Sequence, residues 1–226
     1  MNLLPASALI PTLNAAATLP ATLAALRGSV AEIIISDGGS TDGTPDIARE
    51  HGALVIPAAR GRGVQLRAAA EAATQPWLLA LHADTKPGPG WQAAIADFIA
   101  RPAVAAEAGY FRFTLNDPAP EARRLEAMVA WRCHWLGLPY GDQGLLIGRD
   151  FYRALGGYEA IPLMEDVALV RALKLKIHRL PAYAFTRADK YQKQGWLRRG
   201  AKNLGLLLPY FLGANPEDLA RRYQKP

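Results

Sequence analysis

Residues 32–44 read EIIISDGGSTDGT, an apolar run that ends in a stretch of Asp, Gly, Ser and Thr. The segment Glu32–Ser36 has the length and the β-branched composition of a buried strand. The polar stretch predicts a loop, and Thr44 followed by Pro45 predicts the start of a helix, because Thr caps helices and Pro is favoured in a first turn. Residues 32–44 therefore predict a strand, a polar loop and a helix in succession.

The same alternation continues on both sides of this stretch. Further strands are predicted at Ala8–Pro11, Ala53–Pro57, Trp77–Leu81, Gly109–Leu115 and Leu145–Gly148. Helices are predicted at Thr18–Leu26, Pro45–Glu50, Val64–Ala73, Trp91–Ala100, Glu121–Trp135 and Arg149–Leu155, and another begins near Glu165. Short strands separated by helices are typical of an α/β protein with crossover connections. We expect a mixed, mainly parallel sheet flanked by helices, with a helical C-terminal segment.

The length of 226 residues suits one domain, since single domains commonly reach about 250 residues. Within it we expect a nucleotide-donor half at residues 1–115, an acceptor and catalytic half at 116–185, and a basic helical tail at 186–226. The formal net charge of +6 comes entirely from this tail, because residues 1–185 carry 17 basic and 17 acidic side chains. A neutral body argues against a nucleic-acid partner, which requires a continuous cationic surface.

The composition also bears on the compartment. Cys133 is the one cysteine, which excludes a disulfide scaffold and fits a reducing environment. The N-terminus shows no secretory signal, and the apolar stretch at Leu204–Leu212 is far shorter than the roughly 20 residues that cross a bilayer. We expect a cytoplasmic protein, either soluble or peripheral at the inner face of the membrane.

Polar residues follow three of the predicted parallel strands. In open α/β sheets ligands bind beyond the carboxyl ends of such strands. Asp37 and Asp42 follow the second strand, and Asp84 follows the fourth, so three carboxylates should lie at one edge. The alternative for the stretch around Asp37 is a turn, since Asp, Gly, Ser and Thr are common turn residues. A turn alone does not account for the carboxylate at the same edge after the fourth strand.

These segments resemble a known family. Pro11–Asn14, Ser36–Thr44 and His82–Asp84 look like motifs of the family 2 glycosyltransferases of GT-A fold. The subgroup named radical-SAM and selenodomain-associated transferases is similar in four later segments, Pro139–Gly144, Leu155–Tyr158, Pro162–Leu169 and Tyr191–Trp196. The resemblance covers nearly the whole chain, and the ordered set of motifs is more specific than any one of them.

The resemblance implies transfer of a sugar from a nucleotide-diphosphate sugar to an acceptor hydroxyl, with inversion. Asp37 would hold the nucleotide base, because a carboxylate accepts from a ring N–H. The segment Arg60–Gly63, ahead of a helix, resembles a phosphate cradle in which glycines let N–H groups converge. The residues expected to bind the donor are Pro11, Thr12, Asn14, Asp37, Gly38, Asp42, Arg60, Arg62, Gln65 and Ala83.

A divalent metal, Mn²⁺ or Mg²⁺, is implied as well. Asp84 matches the last Asp of the family's D-x-D motif, where a cation would offset the charge of the departing diphosphate. His82 stands where the family has its first Asp, so it is either a second ligand or an imidazole bonded within the protein. Ala15 and Gly38 are two further departures, at positions where the family often has Glu and Asp.

The acceptor half carries the residues predicted for catalysis. Glu165 and Asp166 look like the family's E-D pair, with Asp166 as the base and Glu165 as its neighbour or substitute. The alternative is that acidic residues only stabilise a helix N-terminus. Gly141, Asp142 and Gln143 form a loop expected to contact the donor sugar or the acceptor, or else a polar turn.

The tail leaves several alternatives open. Arg187, Lys190, Gln194 and Trp196 are expected in a flap that closes over the diphosphate. The helix expected from about Trp196 could lie on an anionic membrane or pack on the core. Two other functions stay open, namely a polyprenyl-phosphate-directed glycosyltransferase at the membrane surface and a non-catalytic nucleotide-sugar-binding protein. The acceptor and the oligomeric state are not identified by the sequence.

Overall fold

Eight strands form one mixed sheet in the computed structural model, which describes residues 3–102, 104–188, 195 and 205–224. The strands are β1 (Leu4–Thr12), β2 (Val30–Asp37), β3 (Leu54–Pro57), β4 (Trp77–Ala80), β5 (Thr85–Pro87), β6 (Ala108–Leu115), β7 (Leu145–Gly148) and β8 (Ile177–Thr186). Their order across the sheet is β3-β2-β1-β4-β7-β6-β8-β5. β7 is antiparallel to both of its neighbours, and β5 is antiparallel to β8.

Helices cover both faces of the sheet. They are α1 (Leu19–Leu26), α2 (Thr44–Glu50), α3 (Arg62–Ala72), α4 (Trp91–Ile99), α5 (Pro120–Leu136), α6 (Arg149–Ala154), α7 (Glu165–Ala172), α8 (described at 205–211) and α9 (Pro216–Gln224). Apolar side chains of α1 and α4 pack on one face, those of α3, α7 and α8 pack on the other, and α5 packs on β6. No helix in the described part of the chain is long and apolar enough to span a bilayer.

The strand register brings the predicted functional loops to one edge. Thr12 lies opposite Asp37 at the carboxyl ends of β1 and β2, and Leu9 lies opposite Ala80 at the end of β4. β7 runs the other way, so its first residue, Leu145, lies opposite Ala80. The loop before β7 is therefore at the same edge as the loops after β1, β2 and β4. The carboxyl end of β8 also reaches this edge, because β6 and β8 run parallel to β4.

The predicted fold is confirmed, and each predicted strand and helix up to Glu165 occurs within a few residues of its expected bounds. β8 was not expected, and Pro181 in its interior explains why, since Pro lacks the N–H of a ladder hydrogen bond. The strand accommodates it at an irregularity, where the register with β6 shifts between Tyr110 and Arg112. The helix expected from about Trp196 falls mostly outside the described residues.

Candidate functional site

The loops after β1 and β2 are locked together by hydrogen bonds. The Asn14 backbone N–H donates to Ser40 Oγ at 2.8 Å, and Asn14 Oδ1 accepts from the Thr41 N–H at 2.9 Å. Asp42 accepts from the Ala16 N–H at 3.0 Å and from Thr44. The hydrogen bond from the Thr44 hydroxyl is the largest of the contacts that lower the pKa of the exposed Asp42 carboxyl. Asp42 thus joins the two loops, and its predicted donor contact would add to this structural role.

Asp37 is almost fully buried beneath these loops. Its Oδ1 accepts from the hydroxyls of Thr12 and Ser40 at 2.8 and 2.6 Å, and its Oδ2 accepts from the N–H groups of Gly39 and Ser40 at 3.0 and 2.8 Å. Burial raises the pKa of the Asp37 carboxyl, but the bonds from Ser40, Thr12 and Gly39 outweigh it, and the pKa lies below its ordinary value. Four donors fill the roughly four acceptor positions of a carboxylate.

Gln65 differs from its predicted role as a donor contact. It is buried, and its Nε2 donates to the carbonyl oxygens of Thr12 and Ser36, both at 2.7 Å. A Cβ on Gly38 would lie 3.2 Å from that nitrogen, which explains the glycine where the family often has Asp. Because its amide is committed to the main chain, Gln65 holds the ends of β1 and β2 in place from behind the loops.

The segment Arg60–Gly63, predicted as a phosphate cradle, lies at the start of α3. A Cβ on Gly63 would lie 2.2 Å from the Glu159 carbonyl oxygen, so this glycine permits close packing of α3 against the chain that precedes α7. The packing brings Arg62 Nε to 2.8 Å from Glu165 Oε1. Arg60 is exposed at the same end of α3. Gly63 therefore permits close packing, and Arg60 and Arg62 are the candidate anion-binding side chains of this segment.

Glu165 is 1% exposed at the start of α7. Its Oε2 has no hydrogen-bond partner in the part of the chain that the structure describes. The pKa of its carboxyl is raised to about 7, chiefly by burial and further by the charge of Asp166, while Arg62 opposes the rise. Met164 precedes it with φ of 69°, a left-handed conformation that costs a bulky residue of order 1–3 kcal/mol. The fold therefore holds a carboxyl in an unfavourable environment at the predicted catalytic position.

Asp166, the predicted base, is less buried than Glu165. Its Oδ2 accepts from the Gly141 N–H at 2.7 Å, and its Oδ1 accepts from the Val167 N–H at 2.8 Å. The first of these bonds ties α7 to the loop before β7. A Cβ on Gly141 would lie 2.5 Å from His82 Nε2, so that loop also packs directly on the imidazole after β4.

Asp142 shares this environment, and its Oδ1 is enclosed without a hydrogen-bond partner among the described residues. The pKa of its carboxyl is raised to about 6, chiefly by burial and further by the charges of Asp166 and Asp84, while Arg132 opposes the rise. Asp84 and Asp166 therefore both lie within electrostatic reach of Asp142. A cation at this point would relieve their repulsion.

The predicted role of Gln143 is contact with the donor sugar or the acceptor. The side chain is 2% exposed, and its Oε1 accepts from Arg132, from Cys133 and from the Tyr140 N–H, each at 3.2 Å. Its Nε2 donates to the Phe111 carbonyl oxygen at 3.2 Å. The amide is therefore used within the protein, where it fixes the loop that carries Gly141 and Asp142.

A groove of about 440 Å³ opens beside Asp84, the predicted metal ligand. Lys86, Asn116 and Arg187 line it together with residues of α1. Ala83, predicted at the donor site, accepts from the Thr22 hydroxyl through its carbonyl oxygen at 3.1 Å. Arg187 thus lies where a diphosphate flap was expected, while Lys190, Gln194 and Trp196 fall outside the described residues.

Sequence reasoning missed Lys86, Asn116 and Arg132 as residues of this edge. The position of Lys86, two residues after Asp84, was a usable signal. Asn116 and Arg132 carried none, because β6 and α5 bring them to the site from stretches without a motif.

The family is decided by comparison with known proteins. Residues 7–151 match the family model described as glycosyl transferase family 2. The chain belongs to glycosyl transferase family 2. The match spans well over half of the chain and includes the loops after β1, β2 and β4. It confirms the prediction of a glycosyltransferase, whereas membership of the radical-SAM-associated subgroup stays a prediction.

Solved structures agree with this family 2 assignment at the level of fold. Glucosyl-3-phosphoglycerate synthase from Mycobacterium tuberculosis, in complex with Mn²⁺, uridine diphosphate and phosphoglyceric acid, is 20% identical with a TM-score of 0.56, covering 77% of this chain and 67% of that one. The same enzyme with Mn²⁺ and uridine-diphosphate-glucose is 18% identical with a TM-score of 0.58, over 80% and 69% of the two chains. No curated protein sequence matches the chain.

Proposed function

We propose that this family 2 chain transfers a sugar from a nucleotide-diphosphate sugar to an acceptor hydroxyl at the carboxyl edge of its sheet. The observation that carries the proposal is the convergence of Asp84, Asp142 and Asp166 from three loops, with Arg62 and Glu165 beside them. Perturbed carboxyls gathered at a ligand-binding edge are typical of active sites.

The nucleotide would bind against the interlocked loops after β1 and β2. Pro11, Thr12 and Asn14 belong to one loop, while Asp37 shapes the other through its four hydrogen bonds. Loops that are held rigid before binding lose less entropy when the ligand arrives. Asp37 therefore supports donor binding by preorganising the surface that contacts the base.

The diphosphate would lie beside Asp84, within reach of the cationic groups of the groove. Lys86 and Arg187 line that groove, and Arg62 lies at the N-terminus of α3. Arg and Lys form charge-assisted hydrogen bonds with phosphates. Binding of a diphosphate would account for the presence of these cations beside the carboxylates of the edge.

The residues present fit a divalent cation. The enclosed Oδ1 of Asp142 and the carboxylate of Asp84 are hard oxygen donors whose charges oppose each other, and His82 lies beside the same loop. Within the described residues no group of three or more His, Cys, Asp or Glu could hold a metal. Mg²⁺ is usually bound by one or two carboxylates together with substrate phosphates. Asp84, with His82 as a second candidate, would hold Mn²⁺ or Mg²⁺. Bound there, the cation supplies charge neutralisation for the leaving diphosphate.

Asp166 would act as the general base in an inverting displacement. The acceptor O–H gives its proton to the carboxylate, the acceptor oxygen forms a bond to the anomeric carbon, and the bond from that carbon to the diphosphate oxygen breaks. Glu165 lies next to Asp166. While the Glu165 carboxyl is protonated, it adds no second negative charge at the start of α7. The bond from Gly141 to Asp166 positions the carboxylate toward the loop at which sugar and acceptor would meet.

Incubation with a panel of nucleotide-diphosphate sugars and Mn²⁺, followed by measurement of released nucleoside diphosphate, tests the proposal. We expect release from at least one donor and its loss when EDTA removes the cation. Exposed Asp97 on α4 offers a matched control, because it lies next to Phe98, which packs on Trp77 at the opposite end of β4, so Asp97→Asn removes a carboxylate far from the edge and should leave release unchanged. Tight nucleotide binding without release from any donor would contradict the proposal and favour a nucleotide-sugar-binding protein.

A further inference from the structure

An apolar stripe runs along the outer side of α5. Met128, Trp131 and Trp135 are 49%, 57% and 68% exposed. Their spacing of three and four residues places them on one side of the helix, opposite the side that packs on β6. Two tryptophans with most of their surface in water form an unusual feature on a soluble domain, since large aromatic side chains are normally covered.

The stripe continues onto the turn after α7. Leu175 is 73% exposed, and a Cβ on Gly137 would lie 2.5 Å from its Cδ2, so Leu175 covers the C-terminal end of α5. Lys174 and Leu175 both have positive φ, at 49° and 68°. The turn therefore holds two residues in a costly conformation that presents a leucine between Lys174 and Lys176 at the surface.

The turn connects this surface with α8. The Lys174 N–H donates to the Arg171 carbonyl oxygen at 3.1 Å, and the Arg171 guanidinium lies 4.9 Å from the ring centre of Phe211. Leu208 and Leu212 on α8 are 62% and 80% exposed. We call the surface formed by residues 127–137, 171–178 and 205–213 the tryptophan face.

The exposed cations beside Leu175 are Lys174 and Lys176, and the three ranges of the tryptophan face contain no Asp or Glu. Two arginines of these ranges are engaged within the protein, since Arg132 donates to the Leu138 carbonyl oxygen and to Gln143, and Arg171 lies over the Phe211 ring. A second copy of the chain would set cations against cations, so the face is a poor surface for a symmetric dimer. Phosphate headgroups supply the missing negative charge, and tryptophan side chains suit the boundary between headgroups and acyl chains.

We propose that the tryptophan face docks the protein on an anionic lipid surface, with Trp131, Trp135 and Leu175 inserted among the headgroups and with Lys174 and Lys176 facing lipid phosphates. The inference concerns a surface outside the catalytic edge and does not rest on the proposed function. Helix α7 links the two, because its eight residues run from Glu165 to Ala172 and span about 12 Å at 1.5 Å per residue.

Co-sedimentation with vesicles of phosphatidylcholine, alone or with 30% phosphatidylglycerol, tests the proposal. We expect at least tenfold stronger binding to the anionic vesicles, weakened by 0.5 M NaCl. The double variant Trp131→Ala/Trp135→Ala should lose this binding at least tenfold, as should Lys174→Gln/Lys176→Gln. The matched control Leu54→Ser/Arg27→Gln also removes an exposed apolar side chain and a cation, on the opposite side of the sheet order, and should bind as the wild type does.

Equal binding of the wild type to neutral and anionic vesicles would overturn the proposal. Concentration-dependent dimers in light scattering that disappear in Trp131→Ala/Trp135→Ala, without vesicle binding by the wild type, would overturn it as well and assign the face to protein association. All substituted side chains are exposed, so circular dichroism of each variant should match the wild type and confirm that lost binding reflects the surface.

Discussion

Carboxylates in two regions of this protein have opposite hydrogen-bonding environments and opposite pKa shifts. In the loops after β1 and β2, Asp37 and Asp42 accept hydrogen bonds from their own and neighbouring loops, and the pKa of each lies below its ordinary value. In the loop before β7 and at the start of α7, Asp142 and Glu165 each keep an enclosed oxygen that has no partner among the described residues, and burial raises the pKa of both.

The difference separates residues that build the site from residues that act in it. A satisfied carboxylate contributes to folding and changes little when a ligand arrives. An unsatisfied one costs stability in the free protein, and a ligand, cation or proton that completes it recovers that cost. The carboxylates of the donor loops therefore have their hydrogen bonds already in the free protein. Those near α7 can still gain an interaction when a ligand, cation or proton binds.

The largest effect is expected from the predicted base. Asp166→Asn keeps an oxygen for the Gly141 N–H but cannot take a proton, so turnover should fall by roughly 10²–10⁴ while donor affinity stays within about twofold. Steady-state release of nucleoside diphosphate, paired with calorimetry of donor binding, measures both. Wild-type turnover in this variant would remove Asp166 from the base position.

A smaller loss is expected at the metal position. Asp84→Asn removes one hard oxygen and one negative charge, so release in the presence of Mn²⁺ should fall about a hundredfold, and more Mn²⁺ should be needed to reach half of the maximal rate. Titration of the rate with Mn²⁺ gives this value, with Asp97→Asn as the control. An unchanged Mn²⁺ dependence would assign the cation to other residues.

A tenfold effect, about 1.4 kcal/mol, is expected in the donor loops. Asp37→Ala leaves the hydroxyls of Thr12 and Ser40 and two N–H groups without their acceptor, so nucleotide affinity should fall at least tenfold and the unfolding temperature should drop. Calorimetry and thermal melting report the two quantities, and exposed Asp97→Ala on α4 is the control. Unchanged nucleotide binding would exclude Asp37 from the donor site.

The sequence predicted the sheet and its functional edge because both depend on local patterns. Apolar runs followed by polar loops mark where parallel strands end, and parallel ends share an edge. β8 escaped prediction because Pro181 interrupts it, and only its pairing with β6 reveals it as a strand. The three-residue β5 is too short to leave a pattern.

Within the site, residue identity predicted position better than it predicted role. Gln65 and Gln143 were expected to contact ligand, yet each amide is used by main-chain groups of the protein. Gly63 was expected to meet phosphate, yet it permits packing against Glu159. Such roles depend on which groups the tertiary fold brings within hydrogen-bonding distance, and spacing along the chain does not contain that information.

The smallest effect gives the most direct test of the division between the two regions. Glu165 has a pKa near 4.5 when unfolded and about 7 when folded, so between these values the folded state binds more protons. Raising the pH from 5 to 8 should therefore reduce the free energy of unfolding through this group, by roughly 1–3 kcal/mol. Asp42 contributes in the opposite sense and only at acid pH, because its lowered pKa makes it lose stabilising charge as the pH falls below about 4.

Denaturant unfolding of the wild type, Glu165→Gln and Asp42→Asn at pH 5 and pH 8 is the decisive measurement. The account predicts that Glu165→Gln loses most of the decrease between pH 5 and 8 and gains stability relative to the wild type at pH 8, while Asp42→Asn keeps the decrease and is less stable at both pH values. A smaller decrease should remain in Glu165→Gln, because the pKa of Asp142 is also raised, to about 6. An undiminished decrease in Glu165→Gln, together with lower stability at pH 8, would show that Glu165 is a satisfied structural carboxylate and contradict the account.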